Sequence, residues 1–191
     1  MAEKKEDRRV RKTKKQLRLA LTQLMRDKSI KEITVREIAD LVDINRGTFY
    51  LHYKDIYDMV EQIEDEMFEG FHQVIYSYNA DDIKEGTLPF FTDIFKYLAE
   101  YSDMCIALLG KNGDIAFVER LKSVVRNKCL YEWMKVYKKV NEENYEYFYE
   151  FIVSGCVGLI NEWLEQGMKK TPEEIARLAE QIIMNGVKAL A

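Results

Sequence analysis

Apolar residues recur along most of this chain three and four positions apart, the spacing of amphipathic helices. Between Lys12 and Asp27 they fall at Leu17, Ala20, Leu21 and Leu24, which predicts a first helix with one buried face. The capping-box pattern from Thr34 to Glu37 predicts the start of a short helix whose buried side is Val35, Ile38, Ala39 and Val42. Asp43-Ile44-Asn45 predicts a tight turn, because Asp and Asn tolerate turn backbone and bind to it, and Asn45 can cap the next helix. At about 100° per residue, Phe49, His52 and Tyr53 share one side of that helix. Gly47, Tyr50, Leu51 and Lys54 take the other, with Arg46 at the edge. Two short helices across a tight turn, the second with a basic outer face, form a helix-turn-helix.

A long helix is predicted over Ile56 to Ser77, carrying Met59, Ile63, Met67 and Val74 among many acids. Asn79 to Gly86 is polar and reads as a turn. Thr87 with Pro89 opens a further helix, and an apolar piece from Met104 to Leu109 ends at Gly110. Asp114 caps a helix running to about Tyr137, and another covers Glu142 to Gln166 until Gly167 closes it. Thr171-Pro172-Glu173-Glu174 opens the last. No strand alternation and no repeat is visible, so the expected fold class is all-α with about nine helices.

Composition adds one division. The net charge of −4 averages over two unlike parts. Residues 1–54 hold 15 Lys and Arg against 8 Asp and Glu, whereas residues 55–191 hold 14 against 25. One end would seek a polyanion and the other would avoid it. The basic run from Lys4 to Arg18 stands directly before the helix-turn-helix and suits sequence-independent phosphate attraction. The amino terminus has no apolar segment of the secretory kind, and the longest nearly apolar run, Phe151 to Ile160, is far short of the roughly 20 residues a bilayer needs. The expectation is a soluble, cytoplasmic protein that does not engage a membrane. Cys105, Cys129 and Cys156 lie far apart in apolar surroundings, as reduced core thiols do.

Catalytic chemistry finds little to stand on. His52 has no cysteine nearby, and Glu69 with His72 offers only a pair, so no zinc-type spacing exists and no metal or other cofactor is expected. There is no Gly-rich phosphate loop, nucleophile elbow or framed pair of catalytic carboxylates. An enzyme is not the expected reading.

The segment ITVREIADLVDINRGTFYLHYKDIYDMV, Ile33 to Val60, resembles the DNA-binding domain of the tetracycline-repressor (TetR/AcrR) family of bacterial regulators. Its most specific part is Asn45-Arg-Gly-Thr-Phe-Tyr-Leu-His-Tyr-Lys54, and the resemblance is strong over about residues 12–60. Two positions depart from the family pattern: Asp43 stands where Gly is usual in the turn, and Leu51 where an aromatic is usual. The resemblance implies a homodimeric repressor of double-stranded operator DNA, with a DNA-binding domain over residues 1–54 and a helical ligand-binding and dimerisation domain over residues 55–191. It implies phosphate contacts from Thr34, Tyr50, His52 and Lys54, and base-edge contacts from Arg46, Gly47 and Thr48. Arg36, Asn45 and Leu51 complete the expected DNA-facing set, and a Leu at position 51 offers apolar contact such as a thymine methyl would take.

The second half is rich in aromatics that mostly read as core, and apolar pockets between helices are where small molecules bind. The expected pocket for a small apolar or aromatic effector draws on Phe95, Tyr101, Met104, Cys105, Phe117, Leu121, Trp133, Tyr137, Phe148, Ile152 and Cys156. Small residues at Ser154, Gly155 and Gly158 permit close helix approach. Ile175, Leu178, Ala179, Ile182 and Ile183 form an apolar stripe on the last helix. Two such helices per subunit would make a four-helix dimer interface. Rival readings are a DNA-binding regulator without a small ligand, an activator working with a protein co-regulator, and an all-α enzyme or interaction protein that binds no DNA.

Overall fold

The computed structural model describes residues 8–110, 113–130 and 142–187. The described residues form ten α-helices and no strand. In chain order these are α1 (Arg8–Met25), α2 (Val35–Val42), α3 (Arg46–Tyr50), α4 (Ile56–Tyr76), α5 (Ala80–Glu85), α6 (Leu88–Glu100), α7 (Ser102–Leu109), α8 (Ile115–Val125), α9 (Glu142–Glu165) and α10 (Pro172–Val187). A 3₁₀ turn at Ile30–Glu32 precedes α2, and a π-helical turn at Arg126–Leu130 continues α8.

The helix beyond the expected nine is α5, which lies in the stretch read as a turn. Asn79 accepts hydrogen bonds from the Asp81 and Asp82 amides, and Asp82 reaches back to the Asn79 amide, so one polar segment satisfies its own first turn. Only Ile83 is buried there, which leaves no apolar periodicity to read. α1 starts earlier than expected, at Arg8, and the α-helix capped by Asp114 gives way to the π turn at Arg126. The part of that expected helix over 131–137 lies outside the described residues.

Burial follows the predicted faces. Leu17, Leu21, Ile38, Phe49 and Met59 are almost fully buried where α1, α2, α3 and α4 meet. That cluster continues without a break along α4, through Ile63, Met67, Phe71 and Ile75, into a second layer built by α6, α7, α8 and α10. α4 is thus the spine shared by both ends. Gly70 allows α6 to lie close against it: a Cβ there would come within 2.6 Å of the Tyr97 hydroxyl, which donates to the Met67 carbonyl at 2.9 Å. α6 also packs extensively on α10, where the buried Thr87 hydroxyl donates to Glu180; the Trp163 indole of α9 donates to the Lys170 carbonyl and so ties the α9–α10 connection back onto α9.

Candidate nucleic-acid interface and effector cavity

The helix-turn-helix is assembled from local hydrogen bonds. Thr34 caps α2 by accepting from the Glu37 amide, and Glu37 accepts in return from the Thr34 amide and hydroxyl. The Lys28 ammonium and Thr34 together hold the Glu37 carboxyl down at about 2. α2 then ends on Asp43, whose φ of 55° and ψ of 50° place it in the left-handed region that Asp reaches at modest cost. Asn45 caps α3 by accepting from the Gly47 amide at 2.8 Å.

On α3, Phe49 is fully buried and Tyr53, just beyond, is 4% exposed; their rings meet at 5.6 Å. Arg46, Gly47, Tyr50, Leu51 and Lys54 are exposed, and Thr48 and His52 are half-buried, with the His52 ring edge-on to Tyr53. Leu51 is 80% exposed, the most open large apolar side chain among the described residues of this end of the molecule. Gly47 has no internal reason to be glycine, since a Cβ would meet only its own capping atom, Asn45 Oδ1, at an ordinary 3.4 Å. Thr34 and Arg36 are exposed on α2, and the Arg36 guanidinium leans towards Asp40 at 3.5 Å. Arg8, Arg9, Arg11, Lys12 and Lys15 are exposed on α1, so the described part of the basic arm is helical. Residues 1–7 lie outside the described ones.

The junction at Lys54-Asp55 holds this head to the spine through two local hydrogen bonds. Asp55 caps α4 by accepting from the Asp58 amide, and Asp58 accepts from the Lys54 amide, each at 2.8 Å. The pattern Asp-x-x-Asp at positions 55–58 is the readable signal: Asp55 is the N-cap, and Asp58 reaches back one residue further, to the Lys54 amide. The Lys54 amide bond holds the Asp58 carboxyl below its ordinary value.

Towards the other end of α4, a cavity of about 150 Å³ opens between α4, α6, α8, α9 and α10, with Leu109 of α7 also on its wall. Of the expected pocket residues, Phe95, Leu121, Phe148, Ile152 and Cys156 line it. Tyr101 and Met104 instead face a polar groove beside α1, Cys105 is buried with its thiol towards the Leu98 carbonyl, and Phe117 is core. Trp133 and Tyr137 lie outside the described residues. Phe71 and Ile75 of α4, and Ala179 and Ile183 of α10, line the cavity without having been foreseen as pocket residues. Burial pushes the Cys156 thiol up to about 11, which leaves it neutral within the apolar wall.

Two comparisons with family models cover most of the chain. The model described as "Bacterial regulatory proteins, tetR family" matches residues 17–63, and that described as "Transcriptional regulator C-terminal region" matches residues 85–185. The chain belongs to the TetR family of transcriptional regulators. An uncharacterized HTH-type transcriptional regulator, YxbF of Bacillus subtilis (strain 168), is 34% identical over 61 residues, which are 32% of this chain and 16% of that protein's length. A TetR transcriptional regulator from Streptococcus agalactiae 2603V superposes with a TM-score of 0.60 at 19% identity, over 93% of this chain and 97% of that one. NalD, the secondary repressor of the MexAB-OprM multidrug efflux pump in Pseudomonas aeruginosa, superposes with a TM-score of 0.64 at 14% identity, over 94% and 98%. These likenesses concern the fold.

In this TetR-family chain the residues expected at a dimer interface divide. Ser154, Gly155 and Gly158 are exposed on α9, and a Cβ at either glycine would meet nothing within 4 Å. Phe151, at 73% exposure, lies on the same helix. On α10, Leu178 and Ile182 are exposed, whereas Ile175, Ala179 and Ile183 are almost fully buried within the subunit. The stripe was wide enough to serve two faces, and the core takes one of them. His72 stacks on Tyr76 at 4.0 Å and Glu69 accepts from Gln73, so the one spacing that suggested a metal pair is engaged otherwise. Among the described residues no helix is long and apolar enough to cross a membrane.

Proposed function

We propose that this TetR-family regulator is a repressor that binds a palindromic operator as a homodimer and leaves it when a small apolar or aromatic ligand enters the cavity. The observation that carries the reading is α3, whose Phe49 is sealed inside while Arg46, Gly47, Tyr50, Leu51 and Lys54 stand exposed together at the basic end of the chain. In the proposed complex Tyr50, His52, Lys54 and Thr34 hold phosphates, which set register. Arg46, Gly47 and Thr48 lie against base edges, where Gly47 lets backbone approach closely.

One such head covers few base pairs, so a second copy related by a two-fold axis, about 34–36 Å away, supplies useful specificity. The exposed small and apolar positions of α9, with Leu178 and Ile182 of α10, suit the self-complementary surface that this requires.

Release follows from the spine. α4 has 21 residues, hence a length of about 30 Å, with α3 at one end and the cavity residues Phe71 and Ile75 near the other. A tilt of about 5° over that length moves the head by roughly 2.6 Å, enough to spoil the spacing of two heads. The ligand acts by preferring the tilted dimer over the DNA-bound one.

A gel-shift titration against the DNA upstream of the protein's own gene, at several salt concentrations, tests the reading. Affinity should fall steeply with salt as counterions are recaptured. Absent binding, or binding indifferent to salt, would overturn it.

A further inference from the structure

The cavity wall is apolar except at one place. Among the described lining side chains only Lys122 carries a charge, and the hydroxyl of the one tyrosine among them, Tyr149, is already spent on the Lys122 carbonyl at 2.7 Å. Lys122 lays its stem along the cavity and is 22% exposed, while its ammonium meets Glu119 at 2.7 Å outside. That partner is 61% exposed, so the ion pair is weak and open to exchange for another anion. One turn further on, Arg126 stands 5.4 Å over the Tyr149 ring and pairs with Glu146, adding a second cation on the same side. The helix widens into its π turn at this residue, a distortion frequent at functional sites.

From this geometry we propose that the effector is a small amphiphilic carboxylate, its apolar body in the cavity and its anionic head on the Lys122 ammonium in place of Glu119. The inference rests on the reading of the cavity as the effector site and adds the chemical class of the guest. About 150 Å³ of dry apolar space accepts a body the size of a benzene ring. Such a body has no hydrogen-bonding partner to find inside, so discrimination falls to the rim. A neutral head gains only an ordinary hydrogen bond from the Lys122 ammonium and a cationic head is repelled by it, whereas a carboxylate gains a charge-assisted bond.

Calorimetric titration of the full-length protein with 3-phenylpropanoate and octanoate, each beside its matched alcohol, tests this. The acids should bind about tenfold or more tightly than the alcohols. Lys122→Met keeps the apolar stem and should abolish the preference for acid over alcohol. Alcohols that bind wild type as tightly as the acids, or an acid preference that survives Lys122→Met, would overturn the head-group assignment while leaving the cavity as a ligand site. If neither acids nor alcohols bind at millimolar concentration, the cavity reading falls and the inference falls with it.

Discussion

Replacing Phe49 by alanine isolates what holds the reading helix in place. α3 has only five residues, too few to persist on its own hydrogen bonds, so its orientation comes from the side chains it buries. Phe49 is 0% exposed, meets Tyr50 edge-to-face and Tyr53 at a tilt, both at 5.6 Å, and belongs to the cluster with Leu17, Leu21 and Ile38. Truncating a fully buried phenylalanine costs about 3–5 kcal/mol through lost transfer energy and the cavity left behind. That is a large share of the roughly 5–15 kcal/mol that stabilises a domain. Tyr50→Ala, at a position 57% exposed, gives up one edge contact worth about 1 kcal/mol. Urea denaturation followed by circular dichroism, with DNA affinity by fluorescence anisotropy, should separate the two. Phe49→Ala should lose stability and binding together, while Tyr50→Ala should lose binding with nearly full stability. A loss below about 1 kcal/mol for Phe49→Ala, or equal losses for both, would mean that α3 is rotated from the orientation described.

Four further outcomes are expected. Lys54→Ala should weaken binding to all DNA sequences alike and reduce the slope of log affinity against log salt by about one, read from anisotropy at several salt concentrations. Leu51→Ala should flatten the response to replacing operator thymines by deoxyuridine; an unchanged response would remove Leu51 from the base-reading set. Phe151→Glu should yield monomers by light scattering with helical content intact, and a persistent dimer would move the interface off that face of α9. The fourth concerns Glu64, whose Oε1 is buried with no hydrogen-bond partner among the described residues. Burial, with Asp114 of α8 opposite and Asp65 and Glu61 alongside, pushes its carboxyl up to about 7 against the relief of Arg120. The ionised form is therefore penalised in the fold: the penalty grows as pH rises from about 4.5 and is complete above about 7. Glu64→Gln should stabilise the protein by about 1 kcal/mol at pH 8, once its partial exposure is allowed for, and by nothing at pH 4. An equal gain at both pH values would refute the assignment.

The helix-turn-helix was legible because its determinants are local. A capping box, a turn residue that tolerates a left-handed backbone, an Asx cap and an inward aromatic pair all lie within twenty residues, and each acts over one turn of chain. The face assignment on α3 needed only the helical period and the fact that Phe49 and Tyr53 are large and apolar. α5 was not legible for the opposite reason: a helix that buries one residue and caps itself with acids carries the same polar composition as a loop.

The far end of the molecule marks the limit of periodicity as a guide. A stripe says which side of a helix avoids water but not what covers it. On α10 the period of 3.6 puts Ile175, Ala179 and Ile183 on one line and Leu178 and Ile182 on the next, about 60° away by that same period. Only the placement of α6, set by Gly70 and Tyr97 on its other side, decides that the first line is core and cavity wall while the second stays outside. Lys122 was equally hidden, since in sequence it pairs with Glu119 three residues back like any surface lysine. What sets it apart is the apolar space beneath its stem, and that space exists only once six helices have met. The residues proposed to choose the guest and the residues proposed to join two subunits thus share a cause: both are what remains after the core has taken its share of each amphipathic face.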